Sequence, residues 1–428
     1  MTTETMIFER GTEIREEYYA AAAKKGWPQD VLRTASELRV EKSAIEWWLT
    51  HEQPTLEEIQ RFLQQRRQLM YGTMHARQAG WNDGEALADL YANSPEEIGD
   101  WEVTVERSPY SYAQFRLQEH VAVSVLEDRG VILAATADSS RNTLVGGEKT
   151  TVHIASAWRV RREFRGKGLS RMLRQAAGPP TSWFGFYNYY YIRSQSFAAL
   201  KWIESFIPES VKAPQREGDV PGIPVTVHHF ATVPFAGDTT GIRLATPGDI
   251  EACLRLINRT HAGCDLFRPY TRDYLEERLY DPCWGDKPDF WIPVYGWSAY
   301  HVVEEGGEIV ACGGLWDKGE HVREVWRHKA TGEAQTLDCT ALLDYGLAEG
   351  REDAMARLIA YFSAKTRELK RTYLVAAIEH LPDLVATVAG LKPETEARAL
   401  HWQLYNKESD NWEMDSSLNR IYTDLAYW

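Results

Sequence analysis

Between Val160 and Leu173 the chain reads Val-Arg-Arg-Glu-Phe-Arg-Gly-Lys-Gly-Leu-Ser-Arg-Met-Leu. Glycines flank Lys167 on both sides, so the backbone there can approach a ligand closely. The N–H groups from Arg165 to Ser170 would point outward at a helix N-terminus, where the peptide dipoles leave partial positive charge. With Arg165 and Lys167 alongside, that geometry suits a diphosphate. Residues 151–160 read as the strand leading into the loop, and residues 170–176 as the amphipathic helix leaving it.

The pattern Arg-x-x-Gly-x-Gly/Ala, with a valine five residues earlier, resembles the acyl-CoA pyrophosphate loop of the GNAT superfamily of N-acyltransferases. Here it runs Arg165-Gly166-Lys167-Gly168-Leu169-Ser170, and Ser170 stands where Gly or Ala is usual, keeping a small side chain. The resemblance implies acetyl-CoA or another acyl-CoA as co-substrate and no metal. It implies donor contacts from Val160, Arg165, Gly166, Lys167, Gly168, Leu169, Ser170 and Arg171. In the helix after the fifth strand the family pattern is Asn-x-x-Ala-x-x-x-Tyr. Ser196 stands for the Asn and joins the donor contacts, while Ile203 takes the tyrosine position and cannot give a proton.

Amine acylation needs a held thioester, a neutral amine and a proton for the departing thiolate. The thioester carbonyl is expected to meet backbone N–H near Val160, where the strand splays from its neighbour. His153 is the only side chain in 151–160 that titrates near neutrality, and is the candidate base ahead of Glu148 and Glu119. For the acid, Tyr187, Tyr189, Tyr190 and Tyr191 lie on the following strand, and Tyr191 is the chosen candidate. Tandem-GNAT aminoglycoside acetyltransferases, which the sequence also resembles, place an aromatic C-terminal carboxylate in the first active site. Trp428 is the matching residue.

The elements that must position these groups recur along the chain. Asp83-Gly84-Glu85-Ala86-Leu87 aligns with Asp249-Ile250-Glu251-Ala252-Cys253, an offset of 249 − 83 = 166 residues. Each copy opens with a short strand (75–79, 242–245), then a helix, then a hairpin around Asp128-Arg129-Gly130 or Gly306-Gly307. Further strands are expected at 183–192, 224–230 and 421–428. The expected organisation is a helical extension (1–72), a GNAT-like acyl-CoA-binding domain (73–230), a linker (231–240) and a second, degenerate GNAT-like domain (241–428). The fold class is α/β (α+β), with mixed central sheets flanked by helices. In the second copy Glu349 falls under Arg165 and Glu352 under Gly168, which would repel a pyrophosphate and block the backbone's approach.

Composition narrows the setting. A formal net charge of −14 argues against a nucleic-acid partner, because phosphate contacts need clustered Lys and Arg. It mildly favours a cationic amine. No run of 18 apolar residues marks a membrane span, and the charged start lacks a signal-peptide core. Five cysteines without a CxxC pair fit a reduced, cytoplasmic setting and no zinc module. The leading expectation is acetyl transfer from acetyl-CoA to a small-molecule amine. A non-catalytic acyl-CoA-binding protein, an aminoacyl-tRNA-dependent transferase and a GNAT-fold decarboxylase are the alternatives.

Overall fold

The structure is a computed structural model that describes residues 74–107, 115, 117–119, 121–170, 172–173, 187–193, 223–232, 234, 237–280, 295–406, 411–414, 418 and 420–427. The helices expected over 1–72 and 196–206, together with Arg171, Ser196 and Trp428, lie outside the described residues. Two compact units are distinguished, Met1–His75 with Asp128–Gly130, and Ala76–Glu127 with Val131–Trp428.

The first repeat copy runs β1 (Met74–Gln78), α1 (Gly84–Ala92), β2 (Glu96–Ile98), β3 (Trp101–Arg107), β4 (Ala122–Asp128), β5 (Val131–Val145), β6 (Glu148–Val160), β7 (Tyr187–Arg193) and β8 (Ile223–Ala231). The second begins with β9 (Ile242–Leu244), α2 (Ile250–Thr260), α3 (Arg272–Tyr280), β10 (Tyr300–Glu305) and β11 (Glu308–Trp316). It continues through β12 (Val322–His328), β13 (Ala334–Leu337), β14 (Cys339–Leu347), α4 (Glu352–Glu368), β15 (Tyr373–Ala376), α5 (Pro382–Val388), β16 (Glu394–Asn406) and β17 (Asn411–Met414).

The repeat has a side-chain signature. In the first copy Arg77 grips Asp83 through two bonds of 2.7 Å and reaches Glu127 through Nε at 2.8 Å. In the second, Arg243 grips Asp249 at 2.7 and 2.9 Å and reaches Glu304 at 2.9 Å. The arginines and aspartates keep the 166-residue offset (243 − 77, 249 − 83). Bidentate pairing of this kind fixes direction as well as distance, so it sets how each strand turns into its helix. The α2 helix then buries Ile250, Cys253, Leu254 and Ile257, the i, i+3, i+4, i+7 stripe of an amphipathic helix.

A 13-stranded sheet has the order β1-β4-β5-β6-β7-β16-β8-β15-β14-β11-β10-β9, with β17 on β16. Replacing each strand by its counterpart (β1/β9, β4/β10, β5/β11, β6/β14, β7/β15, β8/β16) gives the same order read from the other end. A four-stranded sheet, β13-β12-β3-β2, unites a hairpin from each copy. The central core includes Val152 and Ile154 of β6, Val225 and Val227 of β8, Leu343 of β14 and Leu400 of β16.

The strand expected over 421–428 does not form. Ile421 makes one bridge to Asp265, and Leu425–Tyr427 is a 3-10 turn. Tyr422, Thr423, Asp424, Leu425 and Ala426 are all buried, so apolar residues serve several sides at once and their spacing carries no strand signal. No helix among the described residues is long and apolar enough to cross a membrane. Cys253, Cys264, Cys312 and Cys339 are free thiols.

Candidate functional site

A bulge interrupts β6. Its register with β5 slips between Ala135 and Ala137, which pair with Arg159 and Ser156. The extra residue leaves Ala157 at φ +54°, in the left-handed region. The Tyr91 hydroxyl of α1 donates to the Ala157 carbonyl at 2.7 Å and holds the distortion in place. Toward its other neighbour, β6 pairs in parallel with β7 only from Val152↔Tyr187 to Ile154↔Tyr189. Beyond that point β7 follows β16 as far as Arg193, so β6 and β7 part and a wedge opens between them. The wedge begins upstream of Val160, which still pairs with Ala134.

The basic glycine loop closes the same strand. A 3-10 turn at Arg162–Phe164 leads into Gly166 (φ +76°) and Gly168 (φ +79°). Helical structure begins at Leu169, with the Met172 N–H donating to the Gly168 carbonyl at 3.0 Å. Leu169 and Leu173 are buried and anchor this start to the core. A β-carbon on either glycine would meet nothing within 4 Å, so both face open space. The first N–H groups of a helix have no partner within it and lie at its positive end, which leaves donors for an anion. Glycine geometry, open space and helix start together fit a diphosphate.

The neighbouring cations mostly brace the loop. Arg165 turns back, donating from Nε to the Val160 carbonyl at 3.3 Å and from Nη2 to the Pro95 carbonyl. Burial, then the nearby Arg159 and Arg162, pushes its pKa down. Arg161 pairs with Asp89, Arg162 with Glu102 at 2.9 Å and Arg159 with Glu96 at 3.8 Å. Lys167 holds its ammonium 4.5 Å from the Phe164 ring centre, and burial lowers its pKa.

The catalytic candidates are less gathered. His153 sits in the paired part of β6, opposite Ser140 and Asn188, and is 8% exposed. Desolvation lowers its pKa, which favours the neutral imidazole a base requires. It lies four residues before the bulge, however, about 13 Å at ~3.3 Å per strand residue. Tyr191 is in register with Leu400, beyond the last β6–β7 pair. Glu119 is engaged by Arg268, and Glu148 begins β6 far from the bulge. Among the described residues no group of three or more His, Cys, Asp and Glu could hold a metal ion.

The corresponding region of the second copy is built alike and then filled. The parallel ladder of β14 with β15 runs from Cys339↔Tyr373 to Ala341↔Val375, and the β11–β14 register slips beyond it. Asp344 takes the bulge position at φ +50°. Its carboxylate receives Arg278 Nε at 3.0 Å and the Tyr270 hydroxyl at 2.6 Å, while the Tyr300 hydroxyl donates to its carbonyl at 2.7 Å. The Tyr345 hydroxyl crosses to the Ala377 carbonyl just past β15, at 2.6 Å. His261 is fully buried between Phe267, Tyr345, His380 and Tyr422. Its Nε2 lies 2.8 Å from the Tyr345 carbonyl and therefore carries the proton; its Nδ1 accepts from His380 Nε2 at 2.9 Å. The loop that follows is also shorter, four residues (348–351) against eight (161–168). It is thus a contracted loop and not a copy with point substitutions. Arg351, its last residue, is held by Glu305 and Asp353.

Sequence reading found the glycine loop but missed the bulges, the Arg77 and Arg243 grips and the His261–His380 pair. The grips left a signal: both arginines obey the repeat offset. The histidines left none, being 119 residues apart (380 − 261) and joined only by the fold.

No family model matches the sequence, and no curated protein sequence matches it either. Among solved structures, N-myristoyltransferase of Saccharomyces cerevisiae with bound myristoyl-CoA aligns with a TM-score of 0.52 at 12% identity, covering 82% of this chain and 84% of that one. A GCN5-related N-acetyltransferase from Sphaerobacter thermophilus aligns at 0.45 and 16% identity, over 81% of this chain and 99% of that one. The chain shares with that N-myristoyltransferase a mixed α/β fold with a central sheet flanked by helices. At such low identity the likeness concerns architecture alone.

Proposed function

We propose that this chain is an acyl-CoA-dependent N-acyltransferase that takes one acyl-CoA into the wedge between β6 and β7 and transfers an acetyl group to a small amine. The observation that carries this reading is the sequence of features on one strand: a splay after Ile154, a bulge at Ala157 and a left-handed double-glycine turn opening a helix. The GNAT-like fold supports it. On this reading residues 73–230 hold the donor, 241–428 shape the acceptor cleft, 231–240 join them and 1–72 are an extension. Residues 166–170 offer backbone N–H groups to the diphosphate, Val160 and Arg165 brace the loop, and Arg171 and Ser196 are further proposed donor contacts. A reduced, cytoplasmic setting is part of the same reading.

In the reaction the neutral amine nitrogen forms a bond to the thioester carbon, and the carbon–sulfur bond breaks. The amine gives up one proton and the departing thiolate gains one. Backbone N–H at the bulge would polarise the carbonyl without help from side-chain identity. His153, kept neutral by burial, takes the amine's proton only through a relay, given its distance along the strand. Trp428 offers a second base through its carboxylate, and Tyr191 is the proposed acid.

Single-turnover acylation of an amine panel, run with acyl-CoA from acetyl to myristoyl, tests the proposal. Acetyl transfer to at least one amine is expected, and no acylation at any chain length would contradict it. Loss of the true acid or base costs about 10²–10⁴-fold. His153→Gln, Tyr191→Phe and a two-residue extension after Trp428 therefore separate the candidates. If none slows the chemical step beyond about tenfold, catalysis rests on positioning and the backbone alone.

A further inference from the structure

We infer that the two repeat copies form an obligate intramolecular dimer held by exchange of their last strands, and that the segment joining them bears no structural load. This rests on the topology and not on the acyltransferase reading.

The strand order carries the inference. β8 belongs by sequence to the first copy, yet both of its neighbours in the sheet come from the second. It pairs with β15 from Ala231↔Tyr373 to His228↔Ala376, and with β16 from His229↔Glu394 to Ile223↔Leu400. β16 belongs to the second copy and covers the outer edge of β7, from Arg193↔Arg398 to Tyr187↔Leu404. Without the second copy, β7 would present a bare edge beside the wedge and β8 would lose both of the strands it pairs with. Bare edges recruit other strands, so neither copy is a self-contained sheet.

Further contacts tie the copies together at two other places. β3 and β12 pair in register from Arg107↔Val322 to Trp101↔His328. The tip of the β5–β6 hairpin reaches the loop after α2: Leu144 N–H donates to the Phe267 carbonyl at 2.9 Å, and Leu266 N–H to the Leu144 carbonyl at 2.8 Å. Gly146 N–H donates to Asp265 Oδ1 at 2.7 Å. This reach explains a difference between the copies. β5 and β6 have 15 and 13 residues, while β11 and β14 have 9 each. On the same arm, Arg141 Nη1 meets Asp424 at 3.3 Å and its Nη2 donates to the Leu266 carbonyl at 2.8 Å. Both of these side chains are buried, and a buried ion pair is better at fixing register than at adding stability.

The joining segment is different in kind. Gly237, Asp238, Thr239 and Thr240 are all exposed, and the bonds found there are local: Asp238 Oδ1 accepts from Thr240 N–H at 2.8 Å and the Thr239 carbonyl from Ile242 N–H at 2.9 Å. Firm attachment resumes at Gly241, whose carbonyl accepts from Glu304 N–H at 2.8 Å.

A specific protease site inserted beside Gly237 in the full chain allows the folded protein to be cut without asking either part to fold alone. The two fragments should co-elute at the uncut size in native buffer, separate only in denaturant, and keep the melting transition within a few degrees. Separation in native buffer would overturn the inference, as would a fragment that elutes alone as a folded monomer. A second cleavable chain carrying Arg141→Met with Asp424→Leu removes the ion pair and keeps the exchange. It should also stay assembled after cutting; if it falls apart, the ion pair holds the copies and not the strands.

Discussion

In the first copy, β6 leaves β7 after Ile154 and its bulge residue, Ala157, follows three positions later. In the second, β14 leaves β15 after Ala341 and Asp344 follows three positions later, at nearly the same φ (+54° and +50°). One wedge meets an eight-residue glycine turn with open space around both glycines. The other is crossed by the Tyr345 hydroxyl, packed with His261 and His380, and filled at its bulge by an aspartate bound to Arg278. The fold therefore makes the wedge in both copies, and side chains and loop length decide whether a ligand can use it. A carboxylate at the bulge has turned a potential binding edge into part of the core.

The largest effect should come from emptying the filled wedge. Asp344→Ala leaves Arg278 buried without its hydrogen-bonded carboxylate and with only Asp424, at 3.9 Å, as counter-charge, which costs about 3–5 kcal/mol, while CoA protection of the first copy persists at temperatures where the variant stays folded. Loss of CoA protection from the folded variant would mean that the two wedges are not independent. Next, Gly168→Glu places a large anionic side chain at a left-handed position facing open space. It should erase the stabilisation that CoA gives, about 2.7 kcal/mol at 100 times its dissociation constant, as read from melting curves. Undiminished protection would remove the loop from the site.

A third effect is in pH. Burial holds His261 down at about 3 and His380 well below its usual value, so the folded protein refuses protons that the unfolded chain accepts. Above pH ~6.5 neither state is charged at these positions and they contribute no pH dependence. As pH falls from ~6.5 toward 3, each imidazole should lower stability by up to about 1.4 kcal/mol per unit. Urea midpoints measured across that range should therefore decline, and His380→Gln should remove one imidazole's share of the slope. An unchanged slope would mean that the pair does not exclude protons. The smallest effect belongs to Tyr345→Phe, which unties β14 from Ala377 at a cost of about 1 kcal/mol and leaves CoA binding untouched. CoA binding that weakens in this variant would contradict the separation of the wedges.

Much of this contrast was legible from residue order. Gly166 and Gly168 announced a loop whose backbone can approach a ligand closely, and the repeat showed that a second such region existed. Acidic residues in the second loop pointed to a lost ligand, but the shortening from eight residues to four could not be seen by aligning glycines. The bulges were hidden because neither position is a glycine: alanine rarely takes a left-handed backbone, and an aspartate that does so is more often read as a turn residue. Strand exchange was invisible as well, since hydrophobic alternation identifies a strand and not its neighbours. The segment ending at Tyr427 misled for a related reason: burial on several sides leaves no face to alternate.

The central claim is one acyl-CoA per chain, held by the first copy, and calorimetric titration of the full chain with acetyl-CoA tests it most directly. The account predicts a stoichiometry of one for the wild-type chain and no binding for Gly168→Glu. Two acyl-CoA per chain, or a single site that survives Gly168→Glu, would contradict it.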